Sequence, residues 1–90
     1  MQYYRHLYLT EGLKKKKSKI IEKLENNKFQ MNIHIVTLAN NKQNHLEIYH
    51  SAVLLQPNFP HDDFFVVGIA KDYEDAVELV EEIVQEVYNE

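Results

Sequence analysis

Fourteen acidic residues, ten basic residues and five histidines make up most of the chain's titratable chemistry, and no cysteine is present. Without a thiol, disulfides, thiolate metal sites and cysteine nucleophiles are excluded. His61, Asp62 and Asp63 form the densest set of metal-ligating residue types. Three consecutive side chains rarely converge on one ion, and these precede a strand, at the rim opposite the crevice that open α/β sheets use for ligands. His45 and His50 fall in a helical pattern but not at the i, i+4 spacing by which two helical histidines share a zinc ion. His6 and His34 lie in strand-like stretches, where a hydrogen-bonded structural imidazole is the ordinary reading. Neither a metal nor a cofactor is therefore expected. The hydroxyl nucleophiles Ser18, Ser51, Thr10 and Thr37 sit in no recognisable elbow and beside no predicted base. No catalytic residue is assigned, and the reading leans toward a protein that is not an enzyme.

Anion binding is a separate possibility. Three loops follow predicted strands: Thr10-Glu11-Gly12, Asn40-Asn41 and Lys71-Asp72-Tyr73. At the carboxyl ends of parallel strands they would share one rim with two helix N-termini, whose free N–H groups suit a phosphate or nucleotide. Lys14 and Lys71 would add positive charge. Against this, no glycine-rich phosphate loop occurs; on the plainer reading Thr10 and Asp72 are helix caps, Gly12 a turn residue and Lys71 solvated. Lys14 to Lys17 are consecutive, so they spread around a helix without interleaved aromatics, and the net charge is −4. No nucleic-acid partner is expected.

The elements that would position these residues read as an alternation of strands and helices. Residues 3–10 alternate Arg5, Leu7 and Leu9 against Tyr4, His6 and Tyr8, a strand with one aliphatic and one aromatic face. A helix is predicted from about Gly12 to Asn26, with Leu13, Ile20, Ile21 and Leu24 in one stripe. Its stop is Asn26-Asn27, since Asn tolerates the left-handed conformation. Residues 30–39 make a second strand, apolar on both faces. Asn44 to Glu47 has capping-box spacing, so a second helix is predicted from there to about Leu55, ahead of Pro57. Residues 56–63 are a loop. Residues 64–70 carry no charge, as befits a strand covered on both faces, and Gly68 within it marks a close approach. Asp72 caps a final helix with apolar Ala76, Val77, Leu79, Val80, Ile83, Val84, Val87 and Tyr88 opposite an acidic face.

The order βαβαβα points to a three-layer α/β domain over residues 1–90 with a small parallel three-stranded sheet in the order 2-1-3. An alternative puts the third, most apolar strand at the centre. In the first arrangement helix 2 covers one face and helices 1 and 3 share the other, setting lysines beside glutamates. Helix 2 is apolar nearly all round, and a three-stranded sheet has two open edges. A homodimer is expected, with Tyr49, Ala52, Val53 and Leu55 as contacts, and another protein is a further partner; alternatively these residues close the monomer core.

Ninety residues, 44% of them apolar, fit one soluble domain. The N-terminus lacks the basic start and long apolar run of a signal peptide, and no apolar window reaches membrane-spanning length; a cytoplasmic location without membrane contact is the expectation. The run Val67-Gly68-Ile69-Ala70-Lys71, with Glu74, Ala76, Leu79, Val80, Ile83 and Tyr88, resembles small bacterial α/β domains of unknown function and similar length. Leu9 to Gly12 and residues 33–39 are similar too. The resemblance implies a self-contained bacterial cytoplasmic protein, and it implies no activity or functional residue. The function expected is therefore association, with itself or another protein; the alternative is a small anionic ligand at the strand ends.

Overall fold

The computed structural model describes residues 1–38, 46–57 and 64–88, the side chains of Val87 and Tyr88 excepted. Four strands form one mixed sheet: β1 (Gln2–Leu9), β2 (His34–Leu38), β3 (Leu46–His50) and β4 (Phe65–Ala70), in the order β1-β4-β2-β3. β4 runs parallel to β1 and antiparallel to β2, and β2 and β3 are antiparallel. Two helices complete the core, α1 (Lys17–Glu25) and α2 (Tyr73–Ile83), with 3-10 turns at Lys14–Lys16 and Ser51–Leu55 and a π turn at Val84–Tyr88.

Each sheet face has its own apolar cluster. On one face Leu13, Ile20 and Leu24 of the α1 segment and Leu54 meet Ile35, Val66 and Ile69. On the other, Ala76, Leu79 and Ile83 of α2 meet Val36, Val67 and Ala70. Alternation along a strand normally sends every second side chain to one face. β4 breaks that rule once: Thr37 pairs with Val66 but Val36 pairs with Gly68, so Val67 is an extra residue, a β-bulge. Val67 and Gly68 therefore both face α2, and the missing Gly68 side chain leaves room for Leu79. A Cβ built on Gly68 would lie 2.7 Å from Leu79 Cδ2. That is the close approach expected of this glycine.

Local chemistry explains the element ends. Asn27, at φ 56°, takes the left-handed conformation just after α1, as its position predicts. Asp72 caps α2 with its Oδ1 accepting the Asp75 N–H at 2.8 Å. The return from α1 to β2 is pinned by polar groups. Gln30 Nε2 donates to Ile20 O at 3.3 Å, Ser51 Oγ donates to Gln30 O at 3.1 Å, and Ser51 N donates to Ile33 O at 2.8 Å.

These observations correct the three-stranded parallel βαβαβα arrangement in the order 2-1-3. Residues 46–50 form a strand where a helix was predicted, and the sheet has four strands and mixed direction. Helix and strand periodicities compete in Leu-Glu-Ile-Tyr-His, and β2 offers five consecutive partners, His34↔His50 through Leu38↔Leu46, which favours the strand. β-branched and aromatic residues at Ile48 and Tyr49 suit it. Asn44 and His45, which carried the helix-cap reading, lie outside the described residues. The centre belongs to β4 and β2, not to the first strand, because continuous apolar stretches need cover on both sides and both faces. α1 and α2 pack on opposite faces, so lysines and glutamates do not confront each other between helices. Among the described residues the one ion pair is Lys71 to Asp75, at 3.6 Å within a single turn. The predicted start of the first helix also moves: Lys14–Lys16 is a 3-10 turn and α1 begins at Lys17. The second strand is shorter than residues 30–39, leaving Met31 72% exposed.

Candidate functional site

Three places gather chemistry-bearing residues. At the first, the β1 and β4 ends, Thr10, Glu11 and Lys71 line one groove, whereas Asn40 and Asn41 lie outside the described residues. Thr10 is a strap rather than a helix cap. Its N–H donates to Ile69 O at 3.2 Å and its Oγ1 accepts the Lys71 N–H at 3.1 Å, clipping the two parallel strands where they diverge. Gly12, at φ 90°, makes the turn that follows. Asp72 is occupied by its capping bond, and Tyr73 is exposed. The groove lined by Thr10, Glu11 and Lys71 also receives Asp75, Glu78 and Glu82 from α2, a cavity of about 270 Å³ with four carboxylates against one ammonium. Its field repels an anion. Next to it, Gly12, Lys14 and Lys15 border a wider open depression of about 570 Å³, with Leu9 and Glu11; two lysines outweigh one glutamate there.

The second place is a ring cluster that the sequence did not suggest, because His50 read as helical. Register instead sets His34 opposite His50 on adjacent strands, ring centroids 4.9 Å apart and nearly perpendicular. Phe29 lies alongside His50 and Tyr73 meets His34 edge-on. Hydrogen bonds assign the imidazole nitrogens. His34 Nδ1 donates to Asn32 O at 2.7 Å, and His50 Nδ1 accepts the Ala52 N–H at 2.9 Å, capping the 3-10 turn. A nitrogen that accepts an N–H carries no proton, so His50 in this structure holds its proton on Nε2 and presents no free lone pair to a metal. No group of three or more metal-ligating side chains occurs among the described residues. His45, His61, Asp62 and Asp63 lie outside them, and His6 is exposed on β1, its ring near Tyr4.

The third place is the outer edge of β3. The expected dimer contacts divide here: Tyr49 is a strand residue, while Ala52, Val53 and Leu55 belong to the 3-10 turn that follows. Ala52 and Val53 are half-buried, and Leu55 is exposed. As a site on a broad helix face this constellation is corrected; as a set flanking one sheet edge it stays together. β3 has five unbroken pairs with β2, no proline, no lysine and no bulge. The opposite edge, β1, is irregular. Between Tyr3↔Val66 and Tyr8↔Gly68 it advances five residues to two on β4, with exposed Arg5 and His6 in the excursion. Lysines, bulges and irregularity are the devices that blunt a sheet edge, and β3 has none of them.

The direction of the β3 backbone groups follows from register. Ser51 N donates to Ile33 O, one pair beyond His34↔His50. Hydrogen-bonded pairs alternate in an antiparallel ladder, so Tyr49 and Glu47 bond to β2 while the backbone groups of Leu46, Ile48 and His50 point outward. The N–H and C=O groups of Leu46 and Ile48 have no backbone partner among the described residues. Beside them, the Tyr49 hydroxyl donates to Glu47 Oε2 at 2.7 Å. That bond is the first cause raising the Tyr49 phenol above its usual pKa, with burial second.

Other tyrosines are held on β1. Burial first, and the nearby Glu25 carboxylate second, push the Tyr3 phenol up; yet its buried hydroxyl has no partner at hydrogen-bonding geometry. Tyr8 is raised to about 12, chiefly by hydrogen bonding to Glu86 beyond α2.

No family model matches this chain, and no curated protein or solved structure is significantly similar to it.

Proposed function

We propose that this chain is a non-catalytic association domain of the cytoplasm that works at the outer edge of β3, joining copies of itself or accepting a strand of another protein. The observation that carries the reading is that edge. Among the described residues it is regular and uncovered, and the Leu46 and Ile48 backbone groups have no backbone partner there; β-strand addition draws affinity from such main-chain groups. Tyr49, Ala52, Val53 and Leu55 flank it and supply apolar area. No helix among the described residues is long and apolar enough to cross a membrane.

Sedimentation equilibrium over rising protein concentration tests self-association. The expected result is a reversible monomer–dimer equilibrium that Leu46→Pro weakens. Proline removes an outward N–H at the first residue of an edge strand, where the fold tolerates it. A monomer at every concentration, with no change on substitution, would remove self-association.

A second reading has one observation behind it, the open depression bordered by Lys14, Lys15 and Gly12. There a small anion, a phosphate or the phosphate of a nucleotide, would sit with Thr10, Glu11, Lys71, Asp72 and Tyr73 beyond it. Titration calorimetry with inorganic phosphate and ATP checks it: heat that disappears in Lys14→Ala/Lys15→Ala supports the reading, and no heat at low ionic strength ends it.

A further inference from the structure

An antiparallel copy of β3 can complement the β3 edge in a small set of registers, among which strand length and charge choose one. Resting on the association reading above, we infer that its partner is a second copy of the chain, paired antiparallel β3 to β3 about a twofold axis through Ile48. In an antiparallel ladder, residues whose backbone groups face the partner must stand opposite residues of the same kind. With the axis at Ile48, Ile48 faces its own copy and Leu46 faces His50, and all five residues of each strand are paired. The outward N–H and C=O groups of Leu46 and Ile48 are then all satisfied.

Charge selects the same register. Glu47 is the sole carboxylate of β3, and its side chain is exposed. An axis at Glu47 would set the two carboxylates directly opposite, a destabilising cross-strand pair. An axis at Tyr49 leaves Leu46 without a partner within the strand and runs the pairing into the 3-10 turn at Ser51. With the axis at Ile48, Glu47 faces the Tyr49 of the other copy. The phenol and carboxylate that bond within one strand at 2.7 Å are thereby offered to each other across the axis, twice. Joined this way, two four-stranded sheets become one continuous sheet with the irregular β1 strands at both ends.

A chain with no native cysteine allows a direct test by disulfide trapping. Glu47 and Tyr49 of opposite copies would form a non-hydrogen-bonded pair with Cα atoms about 4.5 Å apart, within reach of a disulfide. Like positions, Glu47 to Glu47 or Tyr49 to Tyr49, would lie about 8 Å apart by strand geometry, beyond the roughly 7 Å limit. A mixture of Glu47→Cys and Tyr49→Cys chains is therefore expected to form covalent dimer under mild oxidation at least about tenfold faster than either variant alone. Fastest trapping of Glu47→Cys by itself would overturn this register. Dimers in sedimentation with no trapping in the mixture would overturn the pairing but leave association standing, whereas monomers throughout would remove both.

Amide exchange on the unaltered chain provides an independent arm, should a cysteine variant fail to fold. Protection of the Ile48 amide should rise with protein concentration while that of Glu47 and Tyr49, already bonded to β2, stays constant. One concentration-independent rate at Ile48 would overturn the inference.

Discussion

Substituting alanine for Gly68 adds one methyl group where the bulge brings β4 against α2. The new Cβ would sit 2.7 Å from Leu79 Cδ2 and 3.4 Å from Tyr8 O. Carbon atoms in favourable contact are about 3.5–4.0 Å apart, so Leu79 must retreat by about 1 Å. It is 3% exposed and enclosed by Val36, Val67, Ala76 and Ile83, with little free space to enter. Overpacking of this kind costs about 1–3 kcal/mol. Gly68 is not at positive φ, so alanine suffers no backbone strain and recovers about 0.4–1 kcal/mol by restricting the unfolded chain. The balance is a loss of roughly 0–2.6 kcal/mol. Urea unfolding followed by circular dichroism measures it, and the midpoint should fall without a change in slope. A double-mutant cycle isolates the cause. Leu79→Ala alone should cost about 2–5 kcal/mol, but in that background Gly68→Ala should be neutral or slightly stabilising, because the opposing Cδ2 is gone. Equal costs for Gly68→Ala in both backgrounds, or stabilisation in the native one, would refute the proposed contact between bulge and helix.

Substitutions at three further positions bear on β1 and on the start of α2. Asp72→Ala should lower stability by about 1 kcal/mol through loss of the Asp75 cap, measured by urea denaturation; Asp72→Asn should restore most of it. Tyr3→Phe removes a buried hydroxyl with no partner, so stability should be unchanged or rise by up to about 1 kcal/mol, and a loss larger than that would reveal a bond the hydroxyl makes. The Tyr8 phenol is raised from its usual 10.0 to about 12 in the folded chain. Its stabilising contribution is therefore complete below pH 10 and is lost as pH rises toward 12. Tyr8→Phe should flatten the fall in stability across that window, read by unfolding at stepped alkaline pH, with tyrosinate absorbance reporting the titration itself.

Some of this protein was legible in the chain alone, where the deciding physics is local. Asp72 caps a helix because its carboxylate reaches an N–H three residues on, and Asn27 ends one because Asn tolerates positive φ; neither needs a distant partner. The uncharged β4 had to be buried on both faces, and Gly68 had to admit a neighbour, since composition leaves few alternatives. Tertiary structure decided the rest. Leu46 to His50 satisfies helical and strand periods alike, and only β2 alongside it, residue by residue, made it a strand. With that choice went the strand order, the opposition of α1 and α2, the meeting of His34 with His50, and the open β3 edge. Backbone hydrogen bonds between strands join residues far apart in sequence, so no local pattern specifies which strands meet or in what register. For the same reason the groove at Thr10 and Lys71 read as cationic in sequence yet filled with carboxylates in space: the facing turns of α2, and not the loops themselves, set its charge.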